Sequence, residues 1–234
     1  MKIAIIGYGK MGKEIEKIAI ERGHFISKVI DNSPTLFDLE NADVAIEFSQ
    51  PDCAFQNIKV CLDAGIPVLS GTTGWLGRKP DIEKYCTEKN GTFLYASNYS
   101  LGVNLFFELN KRLADLMKPF PTYKASMEEI HHTQKLDAPS GTAISLANDI
   151  LPILNKKSWV LDKSENNDEI GIVALREENV PGTHTVFYTS EEDTIEITHT
   201  AHSRRGFALG AVLAAEFIHD KKGILTINDM LKLS

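Results

Sequence analysis

The sequence has few cysteines and no long apolar run. Its 234 residues include three cysteines, Cys53, Cys61 and Cys86, an odd set without the spacing of a metal site. We therefore expect buried, reduced thiols and a cytoplasmic protein. The apolar start, Met1 to Gly7, is too short for a signal peptide and leads into a glycine turn. No stretch approaches the roughly 20 apolar residues of a membrane span, so we expect no membrane partner.

Basic charge is also scarce. The chain has 25 Lys and Arg against 32 Asp and Glu, and its net charge is −7 at pH 7. Proteins that bind nucleic acids or membrane surfaces usually carry a basic face, so we expect no nucleic-acid partner. The composition, 43% hydrophobic and 24% charged, is typical of a soluble globular protein, and the length allows one large or two small domains.

Strand and helix patterns alternate through the first hundred residues. The predicted strands are 2–6, 24–30, 42–47, 67–70 and 92–96, and the helices 13–22, 52–64 and 81–89 lie among them. This alternation predicts an α/β fold, with a Rossmann-like doubly wound parallel sheet in an N-terminal domain at 1–98.

The pattern changes after Asn98. The sequence predicts helices at 101–117 and 143–154, strands at 123–131, 169–176, 184–190 and 194–201, and a mobile loop at 162–169. Consecutive strands with few helices indicate a C-terminal α+β domain with a mixed or antiparallel sheet, at 99–203. Strict alternation in 194–200 predicts one buried face. The apolar helix 207–219, within 204–234, is expected to return to the first domain.

Gly7-Tyr8-Gly9-Lys10-Met11-Gly12 follows the first predicted strand and opens a helix. The first glycine permits a tight turn, the second lets the backbone approach a pyrophosphate, and the third lets helix and strand pack closely. Asp31 ends the second strand, where a carboxylate accepts the ribose hydroxyls of an adenosine. The sequence therefore predicts a dinucleotide site.

Asp31 also bears on the choice between NADH and NADPH. Its charge would repel a 2′-phosphate, and Asn32-Ser33 follow it where NADP enzymes commonly have an arginine. NADH is favoured, although Lys10, Lys13 or Lys28 could reach a phosphate, so NADPH stays open.

Glu129-Ile-His-His-Thr-Gln-Lys-Leu-Asp-Ala-Pro-Ser-Gly-Thr142 concentrates chemistry in one segment. Its histidines and lysine can exchange protons, and a Ser-Gly-Thr turn that opens a helix points N–H groups at an anion. These features predict a site that holds a carboxylate and moves a proton. A metal site with His199 and His202 is disfavoured because no cysteine or carboxylate completes it. His184 is expected to be a cross-strand or interface residue.

These motifs resemble the 4-hydroxy-tetrahydrodipicolinate reductase (dihydrodipicolinate reductase) family of lysine and diaminopimelate biosynthesis. The resemblance spans nearly the whole chain. The matching segments are 7–12, Glu47-Phe-Ser49, Gly71-Thr72-Thr73-Gly74, Asn98-Tyr99-Ser-Leu-Gly-Val103, the block 129–142, Pro181-Gly-Thr-His-Thr-Val186 and His202-Ser-Arg-Arg-Gly-Phe-Ala-Leu-Gly-Ala211. Departures are a short segment after Asp31, which would open the adenine side, an unpatterned 162–169 loop, and Tyr99 in place of a frequent phenylalanine.

The resemblance implies NAD(P)H-dependent reduction of a cyclic dicarboxylate by a homotetramer that assembles through its second domain. His131 would be the acid/base residue and Lys135 the proton donor. The substrate-binding residues would be His132, Ser140, Gly141 and Thr142, with no metal ligand. Besides 7–12 and Asp31, the cofactor would contact Gly71, Thr72, Thr73, Ala96, Ser97, Asn98 and Tyr99. Two alternatives are another NAD-dependent dehydrogenase or imine reductase on this fold and a non-catalytic NADH-sensing protein.

Overall fold

The computed structural model describes residues 1–31, 38–39 and 41–233. The strands are β1 (Lys2–Ile6), β2 (Phe25–Ile30), β3 (Val44–Glu47), β4 (Val68–Ser70), β5 (Thr92–Tyr95), β6 (Lys124–His131), β7 (Ser158–Leu161), β8 (Glu169–Arg176), β9 (Gly182–Thr189), β10 (Thr194–Ala201) and β11 (Gly223–Leu225). The helices are α1 (Lys10–Glu21), α2 (Pro51–Asp63), α3 (Lys79–Glu88), α4 (Leu101–Met117), α5 (Gly141–Ile150), α6 (Arg205–Ile218) and α7 (Ile227–Leu231).

The chain forms two compact units. Unit 1 comprises Met1–Leu101 together with Arg204–Ser234, and unit 2 comprises Gly102–Ser203. Among the described residues, no helix is long and apolar enough to span a membrane.

Unit 1 is a parallel sheet with helices on both faces, which confirms the predicted doubly wound fold. Its order is β11-β5-β4-β3-β1-β2, and all five strand pairs are parallel. Side chains alternate across β1. Ile3 and Ile5 pack in the core with α1 and α6, whereas Ala4 and Ile6 pack in the core with α2 and α3. Strands buried on both faces explain the continuous apolar runs of the sequence.

Unit 2 contains a mixed sheet of order β10-β9-β6-β8-β7. Strand β6 is antiparallel to β9 and parallel to β8, so the end of β8 and the start of β9, joined by residues 177–181, lie beside its last residues. Helices α4 and α5 contribute Phe106, Ala114, Leu146 and Ile150 to the core of this unit. The mixed sheet confirms the fold predicted for the second domain.

Strand β10 differs from its prediction. None of its residues is buried, and Ile195 is 40% exposed. The expected face is present but only half-buried, at Ile197, His199 and Ala201, because β10 is an edge strand that pairs with β9 alone among the described strands. Three short elements, β7, β11 and α7, lie where the sequence pattern predicted none.

Candidate active site

A glycine turn connects β1 to α1 at the carboxyl edge of the sheet in unit 1. Gly7 has φ +92°, and a Cβ there would lie 2.0 Å from the carbonyl oxygen of Phe48. A Cβ on Gly12 would lie 2.2 Å from the carbonyl oxygen of Gly7, so this glycine permits close packing of helix and strand. A Cβ on Gly9 would meet no atom within 4 Å. The turn therefore leaves an open cradle before the N-terminus of α1, which fits a pyrophosphate.

This cradle is one side of a cleft of about 930 Å³. Nine of the expected cofactor residues line it, namely Gly7, Tyr8, Gly9, Lys10, Met11, Asp31, Gly71, Thr72 and Thr73. The lining also includes Phe48, Ser49, Gln50, Pro51 and Cys53, which follow β3. Asn32 and Ser33, on which the preference for NADH partly depends, lie outside the described residues, as does most of the short segment after Asp31.

The segment after β5 does not line this cleft. Tyr99 is 3% exposed, and its hydroxyl donates a hydrogen bond to the carbonyl oxygen of Ser70 at 2.9 Å. Its ring packs against Phe48 with centroids 5.5 Å apart, and burial raises its pKa well above the usual value. Tyr99 thus supports the cleft from the core. Ala96 belongs to the same core, and Ser97 and Asn98 are also absent from the lining.

Glu47, at the end of β3, is a fully buried carboxylate beneath the cleft. Its oxygens accept hydrogen bonds from the hydroxyls of Ser49, of Ser70 at 2.6 Å and of Thr72 at 2.9 Å. The N–H of Ser49 donates to it at 3.1 Å. Since Ser49 and Thr72 line the cleft, Glu47 fixes two of its walls. The sequence pattern did not single out this role.

In unit 2, the His-His-Lys block leaves β6 and enters α5. His131 is the last residue of β6, so His132 lies outside the strand, and its carbonyl oxygen accepts from the N–H of Lys135 at 3.0 Å. Ser140 caps α5, and its hydroxyl oxygen accepts from the N–H of Ala143 at 3.2 Å. The N–H groups of Gly141 and Thr142, in the first turn, have no intrahelical acceptor.

The carboxylate of Glu129 lies at the centre of this region and is fully buried. The N–H of Ser140 donates to both of its oxygens, at 3.0 and 3.1 Å. His131 Nδ1 and His184 Nε2 lie 3.5 and 3.6 Å from Oε2, and the guanidinium of Arg176 lies 3.4 Å from Oε1. Burial opposes ionisation, but the contacts from His184 and Ser140 lower the pKa of Glu129 to about 2. Glu129 is therefore a carboxylate at neutral pH.

His131 is 8% exposed, and burial lowers its pKa to about 4 despite the opposing charge of Glu129. The imidazole is therefore neutral at neutral pH. Its Nδ1 is enclosed by protein, so a ligand that binds this ring must approach it through Nε2. A Cβ on Gly182 would lie 3.0 Å from this Nε2, so the glycine leaves room for the ring.

Lys135 and Arg176 supply positive charge beside His131. Lys135 Nζ donates to both carboxylate oxygens of Asp137, at 2.8 and 2.9 Å, which lowers the pKa of Asp137. Arg176 donates to the carbonyl oxygens of Asp137 and Lys135, at 2.5 and 3.3 Å. Arg176 therefore holds the loop that carries Lys135.

A metal ion has one candidate set of ligands among the described residues. Ligand atoms of Glu129, His131 and His184 all lie within 4.8 Å of one another. However, Ser140 and Arg176 already donate to the carboxylate, and a guanidinium repels a cation. The surroundings of Glu129 therefore suit an organic anion better than a divalent ion.

The sequence pattern located His131, Lys135 and the turn at Ser140, but it gave no role to Glu129, Arg176 or Asp137. His184 is a cross-strand residue, as expected, opposite Glu129 on β6 and His199 on β10. Glu129, Asp137 and His184 lie within the matching motifs, whereas Arg176 lies outside them, and strand register brings Glu129, His184 and Arg176 together.

The Rossmann-like fold, its glycine cradle and the cluster of proton-exchanging groups define a pyridine-nucleotide-dependent oxidoreductase. A family model described as dihydrodipicolinate reductase, C-terminus, matches residues 102–231, and one described as dihydrodipicolinate reductase, N-terminus, matches residues 29–99. The chain therefore belongs to the 4-hydroxy-tetrahydrodipicolinate reductase family of lysine and diaminopimelate biosynthesis.

Individual relatives agree with this assignment. The chain is 55% identical over 234 residues to 4-hydroxy-tetrahydrodipicolinate reductase from Christiangramia forsetii, covering 99% of this chain and 98% of that protein. It is 34% identical to the enzyme of that name from Staphylococcus aureus (strain MRSA252), covering 98% and 100%. The structure of a dipicolinate-bound dihydrodipicolinate reductase from Paenisporosarcina has the same fold, with a TM-score of 0.77, 21% identity and 97% of both chains covered.

Proposed function

We propose that the chain reduces 4-hydroxy-tetrahydrodipicolinate to tetrahydrodipicolinate with NADH. The reaction consumes a hydride and a proton and releases water. The observation that carries the proposal is the joint placement of Glu129, His131, Lys135 and the α5 N-terminus in a chain of this family. Bound nicotinamide supplies the hydride.

Unit 1 binds the dinucleotide. The cradle at Gly7 to Gly12 and the N-terminus of α1 receive the pyrophosphate. Asp31, in the cleft lining, accepts the ribose hydroxyls, and its charge disfavours a 2′-phosphate. Thr72 and Thr73, which also line the cleft, take the nicotinamide side.

Unit 2 binds the dicarboxylate. The N–H groups of Gly141 and Thr142, with the hydroxyl of Thr142, hold one carboxylate at the start of α5. Ser140 is a positioning residue in this proposal, because its N–H donates to Glu129 and its hydroxyl caps the helix. Lys135 and His132 neutralise the remaining charge of the substrate.

Lys135 is the proton donor in this proposal. Its ammonium has protons to donate, whereas His131 is neutral at neutral pH. His131 instead accepts a hydrogen bond at Nε2, from Lys135 or from the substrate. The Asp137 carboxylate keeps the Lys135 side chain in the loop until substrate binds.

The test is a coupled assay in which a dihydrodipicolinate synthase makes the unstable substrate in place. Oxidation of NADH that depends on the synthase is expected, with a higher kcat/KM for NADH than for NADPH. If the charge of Asp31 sets the preference, Asp31→Ser should lower the ratio of kcat/KM for NADH to kcat/KM for NADPH at least about tenfold. No oxidation of either cofactor by folded protein that binds NADH would favour another dehydrogenase.

A pair of lysine variants tests the proton donor. Lys135→Met should lower kcat by about 10²–10⁴-fold, the usual contribution of general acid catalysis. Lys163→Met, at an exposed position, is the matched control and should leave kcat unchanged. Equal kcat values for wild type and Lys135→Met would rule out this role.

The assembly and location of the enzyme are part of the proposal. The resemblance supports a cytoplasmic homotetramer, and Cys61 and Cys86 are buried free thiols, as a reducing compartment allows. Light scattering should give four times the chain mass of 26.0 kDa. A monomer mass would contradict the tetramer.

A further inference from the structure

We propose that Glu129 is a positioning residue that fixes the tautomer of His131 and the start of α5. The inference rests on the proposed function of this site and adds a residue that does not itself touch the substrate. Glu129 is fully buried. Each group that it contacts either has a proposed role in the reaction or holds a residue that has such a role.

Glu129 determines which nitrogen of the His131 ring carries the proton. An ionised carboxylate only accepts hydrogen bonds, so the ring nitrogen that faces it is favoured as N–H. His131 Nδ1 lies 3.5 Å from Oε2 of Glu129, and it is buried and makes no hydrogen bond to any other group. The proton of the neutral ring therefore resides on Nδ1, which leaves the lone pair on Nε2, the nitrogen through which a ligand must approach the ring.

Glu129 also holds the start of α5. Both oxygens of Glu129 accept from the N–H of Ser140, the residue that caps the helix. The same hydroxyl that caps the helix lies 3.1 Å from His184 Nε2, which itself faces Glu129. Glu129 thereby links the ring of His131 to the turn whose N–H groups receive the substrate carboxylate.

The charge of Glu129 is balanced by Arg176. Arg176 contacts Oε1 at 3.4 Å and also holds the carbonyl oxygens of Lys135 and Asp137. The buried carboxylate keeps this guanidinium in place beneath the Lys135 loop. A neutral side chain at position 129 would leave Arg176 without its charged partner, although the backbone contacts of Arg176 would remain.

The variant Glu129→Gln distinguishes an effect on the tautomer of His131 from an effect on packing. The amide has nearly the same volume and keeps an oxygen for the N–H of Ser140, but its NH₂ donates hydrogen bonds. When this NH₂ faces His131, Nδ1 must accept and the ring proton moves to Nε2. A carboxylate that holds a histidine tautomer can be worth orders of magnitude in rate. We expect kcat to fall at least about tenfold, with the Kd for pyridine-2,6-dicarboxylate changed by less than about threefold.

The matched control is Glu128→Gln, which removes a neighbouring, partly exposed carboxylate of the same strand. It should leave kcat and the ¹⁵N shifts of the His131 ring unchanged. Glu129→Gln with kcat within twofold of wild type would overturn the proposal, as would an equal loss in Glu128→Gln.

A measurement on the wild-type protein keeps the proposal testable if Glu129→Gln does not fold. The ¹⁵N shifts of selectively labelled histidine distinguish the Nδ1–H from the Nε2–H tautomer of His131. The Nδ1–H form at pH 7 is expected, and the Nε2–H form would overturn the inference. This readout needs no turnover, so failure of the coupled assay would refute the proposed reaction without deciding the role of Glu129.

Discussion

At the scale of single residues, each unit has a buried glutamate beside its candidate site, and the groups that contact this glutamate differ between the units. Glu47 and Glu129 are both fully buried carboxylates, each in the last residues of a strand beside a candidate site. Glu47 is held by hydroxyl and N–H groups that line the nucleotide cleft. Glu129 is held by an N–H group, a guanidinium and two imidazoles. A buried polar side chain is stabilised when its hydrogen bonds are satisfied, and in both units these hydrogen bonds also shape a candidate site.

His131 should make the protein sensitive to acid in a defined window. Its folded-state pKa is about 4, below the value of 6.5 for an unperturbed ring, because burial disfavours the charged form. Between pH 6.5 and 4, the unfolded chain binds a proton here that the folded chain does not bind. Stability from this group is therefore full above pH 6.5 and falls as the pH drops through the window.

His131→Gln removes this titration. When the pH is lowered from 6.5 to 4.5, the free energy of unfolding in urea should fall for both proteins. The fall should be about 2 kcal/mol smaller for the variant than for wild type. His219→Gln, at an exposed position, should lose stability in parallel with wild type. The same loss in all three proteins would mean that the ring of His131 is not held neutral. The pKa of Glu129, at about 2, places its own contribution below this window.

The site residues that could be predicted together are those that lie close together in the sequence. The histidines, Lys135 and the Ser140 cap lie within one segment, and local rules for turns and helix starts were enough to predict a joint site. Glu129 faces His184 only through the antiparallel register of β6 and β9, and Arg176 lies beside His131 only through the parallel register of β6 and β8. No local pattern specifies those registers.

At the scale of elements, strong periodicity gave accurate bounds, whereas two short strands, β7 and β11, were not predicted. The helix at 101–117 and the strands at 169–176 and 194–201 have the predicted limits. Strand β11 has three residues and pairs with β5, more than a hundred residues earlier in the chain. Its formation depends on tertiary pairing, since it lies outside the alternation of strands and helices that indicated the equally short β4.

Two glycines of α6 should respond oppositely to alanine. A Cβ on Gly210 would lie 1.6 Å from the carbonyl oxygen of Tyr99, so backbone must shift to accommodate it. Gly210→Ala should therefore lower the free energy of unfolding by about 3 kcal/mol or more. A Cβ on the exposed Gly206 would meet only the Ser100 hydroxyl, at 3.8 Å. Gly206→Ala should be neutral or stabilising by up to about 1 kcal/mol.

Thermal and urea unfolding of both alanine variants check this contrast. NADH titration adds a functional readout, because Tyr99 supports Phe48 in the cleft lining. Similar free energies of unfolding for the two variants would contradict the close contact between α6 and the segment after β5.

At the scale of the whole molecule, unit 1 is discontinuous in sequence. Its last segment supplies six buried residues of α6 to the core shared with β1 and β3, namely Ala208, Ala211, Val212, Ala214, Ala215 and Ile218. The two points at which the chain crosses into and out of unit 2 are neighbours, since a Cβ on Gly206 would lie 3.8 Å from Ser100 Oγ. Unit 2 is therefore an insertion into a complete nucleotide-binding unit.

This topology predicts that unit 1 folds without unit 2. A chain that joins 1–101 to 204–234 through a Gly-Ser linker of about four residues should fold and bind NADH, because the linker spans the short gap. It should bind no pyridine-2,6-dicarboxylate, since Lys135 and the start of α5 are removed. Fragment 1–101 alone is the control and should neither fold cooperatively nor bind NADH, because the sheet would lack the apolar face of α6. Circular dichroism and NADH fluorescence measure both properties, and NADH binding by fragment 1–101 as tight as that of the joined chain would contradict this role of α6.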